Sequence, residues 1–173
     1  MSGSIHVFTF KRGLLSRAAH DLRLSVQHYT LHRQGEAVEA SFDPLSLQVD
    51  GTMKRGRLAP GGLSPKDKGE VLDNTRSQVL QSHRYPKIRF DGRAVQKGAL
   101  IAVAGTLELV GQRRPVTFTL RQVGGRVQGE LELQPSRWGI KPFKALMGAI
   151  ALDDRVVVAF DLPTPENDTQ GPC

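Results

Sequence analysis

The chain holds one cysteine, Cys173, at its last position. An internal disulfide is therefore excluded, and cysteine catalysis is not expected. Aromatics are scarce: seven Phe, two Tyr and one Trp, 6% of 173 residues. A nucleic-acid groove needs aromatics interleaved with basic side chains for stacking. Here Phe42, Phe90, Phe118 and Phe160 fall at core-type positions, so no nucleic-acid partner is expected. No apolar run approaches the roughly 20 residues that span a bilayer as a helix, so no transmembrane segment is expected. The opening "MSGSIHVFTFKRG" shows neither a basic nor an apolar leader region, which favours a soluble, cytoplasmic protein. Phosphate-binding loops are missing too. Gly61-Gly62 and Gly124-Gly125 lack the P-loop Lys-Ser/Thr and the dinucleotide spacing, and read as turns.

What is present is turn residues and alternation. Gly occurs 18 times, Pro 10 times, and apolar residues make up 39%, which favours an all-β chain over a helical bundle. The net charge of +7, from 24 basic and 17 acidic residues, suits acidic partners. The basic residues are scattered, however, and a soluble surface accounts for them.

Period-two patterning dominates. "SIHVFTFK" is apolar on both faces, with Ile5 and Val7 on one and Phe8 and Phe10 on the other. "HDLRLSVQHYTLHR" aligns Leu22, Leu24 and Val26. Val38, Ala40 and Phe42 share one parity, while Leu45, Leu47 and Val49 share the other. A change of parity would turn side chains to the wrong face, so the chain must bend or bulge at Asp43-Pro44. "SPKD" at 64–67 reads as a helix start, with Ser as N-cap and Pro at the first helical position. Val71, Leu72, Thr75, Val79 and Leu80 follow at helical spacing. Pro86 cannot continue a helix and makes Tyr85 extended, so "RYP" switches helix to strand, with Ile88 and Phe90 facing together. Four more strands follow, interrupted by a loop with a helical turn expected around 143–147. Residues 1–163 form the expected domain, and 164–173 read as a disordered tail. Eight or nine antiparallel strands with short turns suggest a closed up-and-down barrel, with room for its own side chains or one small ligand.

Candidates for chemistry are few. His28 and His32 share a parity but lie about 13 Å apart along a strand, too far for one metal ion, so no metal site is expected. His20-Asp21 could form half of a catalytic pair, yet no GxSxG elbow supplies a nucleophile, and a strand entrance bonding backbone is the stronger reading. The interior could hold an apolar molecule, or the same Leu, Val, Ile and Phe residues could fill it as a core. The pattern alone leaves both open.

Four stretches in order, "VLQSHRYPKIRFDG", "AGTLELVGQRRPVTFTL", "VQGELELQPSRWGI" and "GAIALDDRVVVAFDL", resemble the YceI-like family. Its YPxIxF junction matches Tyr85, Pro86, Ile88 and Phe90. Its GxLxLxGxxxPVxL hairpin matches Gly105, Leu107, Leu109, Gly111, Pro115, Val116 and Leu120. Its late aromatic-Gly segment matches Trp138 and Gly139, followed by the strand at 154–162. The resemblance covers roughly residues 5–162. It implies a lipocalin-like antiparallel barrel with one helix packed across it, no catalytic activity, and a long-chain ligand: an isoprenoid, an isoprenoid quinone or a fatty-acid derivative. The chain departs from many members in carrying "GLLSRAAHDLRL" in place of a His-x-Gly-Phe entrance, and in showing no export signal.

The expected lining is Phe8, Phe10, Leu24, Val26, Phe42, Phe90, Leu107, Phe118, Trp138, Phe143 and Met147. Arg137 and Lys141 are the candidates for an anionic head group. No cofactor is expected beyond a bound isoprenoid or lipid, and a homodimer is compatible with the sequence. The rival readings are a filled barrel serving as a stress-related interaction module without ligand, and a small hydrolase-type enzyme using His20 and Asp21.

Overall fold

In the computed structural model, residues 3–12, 21–142, 144–145 and 150–164 are described. The strands are β1 (Ser4–Lys11), β2 (Asp21–Val26), β3 (Tyr29–Gln34), β4 (Ala37–Phe42), β5 (Leu47–Lys54), β6 (Arg57–Ala59), β7 (Ile88–Lys97), β8 (Leu100–Leu109), β9 (Gln112–Val123), β10 (Arg126–Leu133), β11 (Lys144–Ala145) and β12 (Ile150–Pro163). One helix, α1 (Pro65–Asn74), interrupts them. It is not long and apolar enough to cross a membrane, nor is any other helix among the described residues.

Twelve strand segments replace the expected eight or nine, and the difference lies mainly at one corner. β2 pairs with β5 and β3 pairs with β4, all antiparallel. Between them the ladder is carried by Gln27 N donating to Ser46 O at 3.3 Å and Asp43 N donating to His28 O at 3.1 Å. β2–β3 is thus one long bent strand, and β4–β5 is its bent partner. Counted this way, eight long strands succeed one another, each paired with the next, and β12 pairs with β1 to close the ring. Closure leaves fewer exposed edges for a second chain to pair with. β6 and β11 are short additions on β5 and β12.

The corner sits where the parity changes. Asp43 Oδ1 accepts from Leu45 N at 2.9 Å, and the Ser46 hydroxyl donates to Asp43 O at 2.7 Å. This tight turn at Pro44–Ser46 absorbs the odd residue, so Phe42 and Leu47 both face inward. Leu45, expected to share the inner face with Leu47, instead sits in the turn and is 44% exposed.

α1 begins as the sequence predicts. Ser64 Oγ accepts from Asp67 N at 3.1 Å, and Pro65 occupies the first turn. The helix packs across β5: Lys68 Nζ donates to Asp50 O at 2.9 Å, and Val71 is fully buried. Its continuation, Thr75–Val79, widens into a π turn closed by Leu80 N to Thr75 O. There Arg76 donates to the carbonyls of Leu45 and Leu47. Tyr85 then lies over the β8–β9 turn. A Cβ on Gly111 would come 2.6 Å from the Tyr85 ring, and Gly111 has φ +72°, so only glycine suits that position.

Two buried clusters result. One, around Phe90, Ile101, Val103, Leu107, Val127 and Leu131, lies inside the barrel. The other, including Leu22, Leu24, Val49 and Val71, lies beneath the helix. One correction concerns the late loop. Lys144–Ala145 pairs as a strand with Ile150 and Ala151, where a helical turn was expected, because the chain doubles back along β12. Residues 143, 146–149 and 165–173 lie outside the described residues.

Candidate ligand-binding cavity

Alternation along each strand sends one set of side chains to the interior. On β8 these are Ile101, Val103, Leu107 and Leu109; on β12 they are Leu152, Val156, Val158, Phe160 and Leu162. They do not meet at the barrel axis. They surround a cavity of about 310 Å³, at the lower end of the range for small-molecule sites. Ile101 and Leu109 are eight residue steps apart, about 27 Å along the strand. With a strand tilt of about 35–45°, the cavity extends roughly 20 Å along the barrel axis. Phe118, Leu120, Val158 and Phe160 point inward yet stay only partly buried, because the cavity leaves one side of each uncovered.

The wall is almost wholly hydrocarbon. Three of its aromatic rings form a run: Phe118 stacks on Phe160 with centroids 5.7 Å apart, and Phe90 meets Phe118 edge-on at 6.2 Å. Phe90 fits because Gly92 and Gly105 face each other on β7 and β8 beneath its ring. Val71, Thr75, Val79 and Leu80 bring α1 and its last turn into the lining.

One rim carries three charged side chains. Exposed Lys141 and Asp153 border the cavity there, together with Asp154. Asp154 Oδ1 accepts from Ser136 N at 2.8 Å, and Oδ2 accepts from the Ser136 hydroxyl. Partial desolvation pushes its carboxyl upward, but these bonds outweigh that and hold it below the ordinary carboxylate range. Tyr29, also in the lining, is pushed up by burial, with Arg126 opposing.

Of the residues expected in the lining, Leu24, Val26, Phe42, Phe90, Leu107 and Phe118 all border the cavity, as does Lys141. Phe8 and Phe10 do not. Ile5, Val7 and Thr9 take the inner face of β1, leaving Phe8 on the other face beside His6, and Phe10 under the Arg155 guanidinium at 4.3 Å. Trp138 is buried but outside the lining. Its indole N–H donates to Leu107 O at 3.0 Å, which holds the ring against the wall, and its neighbour Ile140 reaches the cavity instead. Arg137 is also outside the lining, with its guanidinium 5.6 Å from the Trp138 ring. Phe143, Met147 and His20 lie outside the described residues. Asp21 Oδ1 accepts from Lys11 N at 2.9 Å, a structural contact. Among the described residues, no group of three or more His, Cys, Asp or Glu is placed to hold a metal ion. Sequence reasoning missed Thr9 and the helix residues. The i, i+4, i+8 spacing of Val71, Thr75 and Val79 was the available signal.

A closed antiparallel barrel with a helix across it and an apolar cavity inside defines a lipocalin-like barrel. The chain belongs to the YceI-like family, whose YceI-like domain model matches residues 15–163. Two solved structures share the fold. BcnA of Burkholderia cenocepacia superposes with a TM-score of 0.65 at 14% identity, covering 92% of this chain and 94% of that one. A polyisoprenoid binding domain from Saccharophagus degradans, implicated in plant cell wall breakdown, gives 0.59 at 11% identity over 94% of both chains. No curated protein matches the chain.

Proposed function

We propose that the protein binds and carries a long-chain apolar molecule, an isoprenoid, an isoprenoid quinone or a fatty-acid derivative, inside the barrel. The observation that carries this reading is the elongated cavity with its hydrocarbon wall. Burying a chain there yields about 0.8 kcal/mol per CH₂, so length alone supplies affinity without polar contacts. The name of the Saccharophagus degradans domain, polyisoprenoid binding, supports the same ligand class. Leu24, Val26, Phe42, Phe90, Leu107 and Phe118 contact the chain, and α1 covers one side of it. Arg137 and Trp138 act from behind the wall. The protein acts as a carrier rather than a catalyst.

The test is retention. The purified protein is incubated with an isoprenoid quinone and passed through gel filtration, and absorbance of the quinone is followed in the protein peak. Near-stoichiometric co-elution is expected. Failure to retain quinones, polyprenols and fatty acids alike would overturn the reading and favour a filled interaction module.

A further inference from the structure

Within the hydrocarbon wall stands one polar atom with nothing to bond. Thr9 is 8% exposed and borders the cavity, and its Oγ1 is buried with no hydrogen-bond partner among the described residues. A buried hydroxyl without a partner is costly. Several other polar side chains of the lining are engaged. Thr75 donates to Val71 O, Asp43 accepts from Leu45 N, Arg33 donates to Gly35 O, and Asp153 accepts from Asp154 N.

Thr9 also occupies a special point of the sheet. It pairs with Leu22 on β2 and Val156 on β12, and the β1–β12 register shifts between Thr9 and Lys11. Such irregularities re-aim side chains and recur beside binding sites. Val156 is two positions from Asp154, so Thr9 lies about 7 Å inward, along the strand, from the rim that holds Asp153, Asp154 and Lys141. This is where the polar end of an amphiphile would sit if its tail ran on toward Phe90 and Phe118.

The geometry points to Thr9 as the internal anchor for the polar end of the ligand, and to a neutral oxygen-bearing head (alcohol, carbonyl or amide) as the chemistry it takes. The Thr9 hydroxyl donates to the ligand oxygen or accepts from its O–H or N–H. A neutral head fits the rim better than a carboxylate or a diphosphate. One lysine there stands beside two aspartates, and Asp154 is kept ionised by Ser136. A further anion would meet the like charge of both aspartates. The inference rests on the interior being the binding site and specifies which end of the ligand lies where.

The experiment measures retention of radiolabelled hexadecane, hexadecanol and palmitate by wild type, Thr9→Val and Thr9→Ser. Valine keeps the shape and removes the hydroxyl; serine keeps the hydroxyl. The expected result is that Thr9→Val weakens hexadecanol roughly 5- to 30-fold, the loss of one well-made buried hydrogen bond. Hexadecane is unchanged, and Thr9→Ser behaves as wild type with hexadecanol. Palmitate binds wild type less tightly than hexadecanol. If Thr9→Val shifts hexadecanol and hexadecane by the same factor, or shifts neither, the hydroxyl anchors nothing and the inference falls. Palmitate binding tighter than hexadecanol would overturn the neutral head. If wild type retains none of the three but retains an isoprenoid quinone, the same comparison is made with the quinone and its reduced quinol on wild type and Thr9→Val, and equal retention of both by both proteins overturns the anchor; if the quinone is not retained either, the carrier reading itself fails.

Discussion

Replacing Phe118 with tryptophan separates an open barrel from a filled one by the sign of the effect. Phe118 stacks on Phe160 and faces the cavity. The larger ring has two places to go. If it enters the cavity and fills about a tenth of the 310 Å³, the gain at roughly 24 cal/mol per Å³ is about 0.7 kcal/mol. For a chain of this length that raises Tm by about 1–3 °C. If the interior were filled, overpacking would cost about 1–3 kcal/mol and Tm would fall by about 2–12 °C. The ligand responds as well. Excluding about two methylenes of a bound chain costs about 1.6 kcal/mol, roughly a 15-fold loss of affinity. Scanning calorimetry and quinone retention on the same sample read both numbers. A Tm drop beyond about 4 °C with retention unchanged would refute the argument.

Three further outcomes are expected. Gly105→Ala puts a methyl 2.7 Å from the Phe90 ring tip and against the β7 backbone; it lowers stability by about 1–3 kcal/mol in calorimetry and narrows the cavity, reducing quinone retention. Ser64→Ala removes the cap accepting from Asp67 N; it costs about 1 kcal/mol in denaturant titration and speeds ligand exchange in stopped-flow, because α1 holds one side of the site. His6 has its pKa lowered from 6.5 by burial and by the Arg23 guanidinium, with Asp50 opposing. The unfolded chain therefore binds more protons there, so stability is full above 6.5 and declines as pH falls below it, levelling out once the folded-state pKa is passed. Thermal unfolding from about pH 7.5 to 5 shows this decline, and His6→Gln flattens it.

The barrel was largely legible because period-two alternation and turn residues are local signals. The Asp43-Pro44 parity change predicted the bent strand before any pairing was known. The helix start at Ser64 and the Pro86 switch were equally local. The inner face of β1 was not legible: both faces are apolar, and only pairing with β2 and β12 decides that Val7 turns inward and Phe8 outward. Trp138 reads like a lining aromatic until Leu107 O, 31 positions away, claims its N–H. Thr9 was overlooked for the opposite reason: a threonine in an alternating strand looks solvent-facing, and its isolation depends on strands distant in sequence. β6 and β11 are too short to carry a periodic signal.

The measurement that tests the central claim most directly is native mass spectrometry of the protein purified from its own host, followed by organic extraction. The account predicts a co-purifying long-chain species in near-stoichiometric amount, with a neutral oxygen-bearing head. A clean apoprotein mass, unchanged after incubation with isoprenoid quinones and fatty acids, would contradict it.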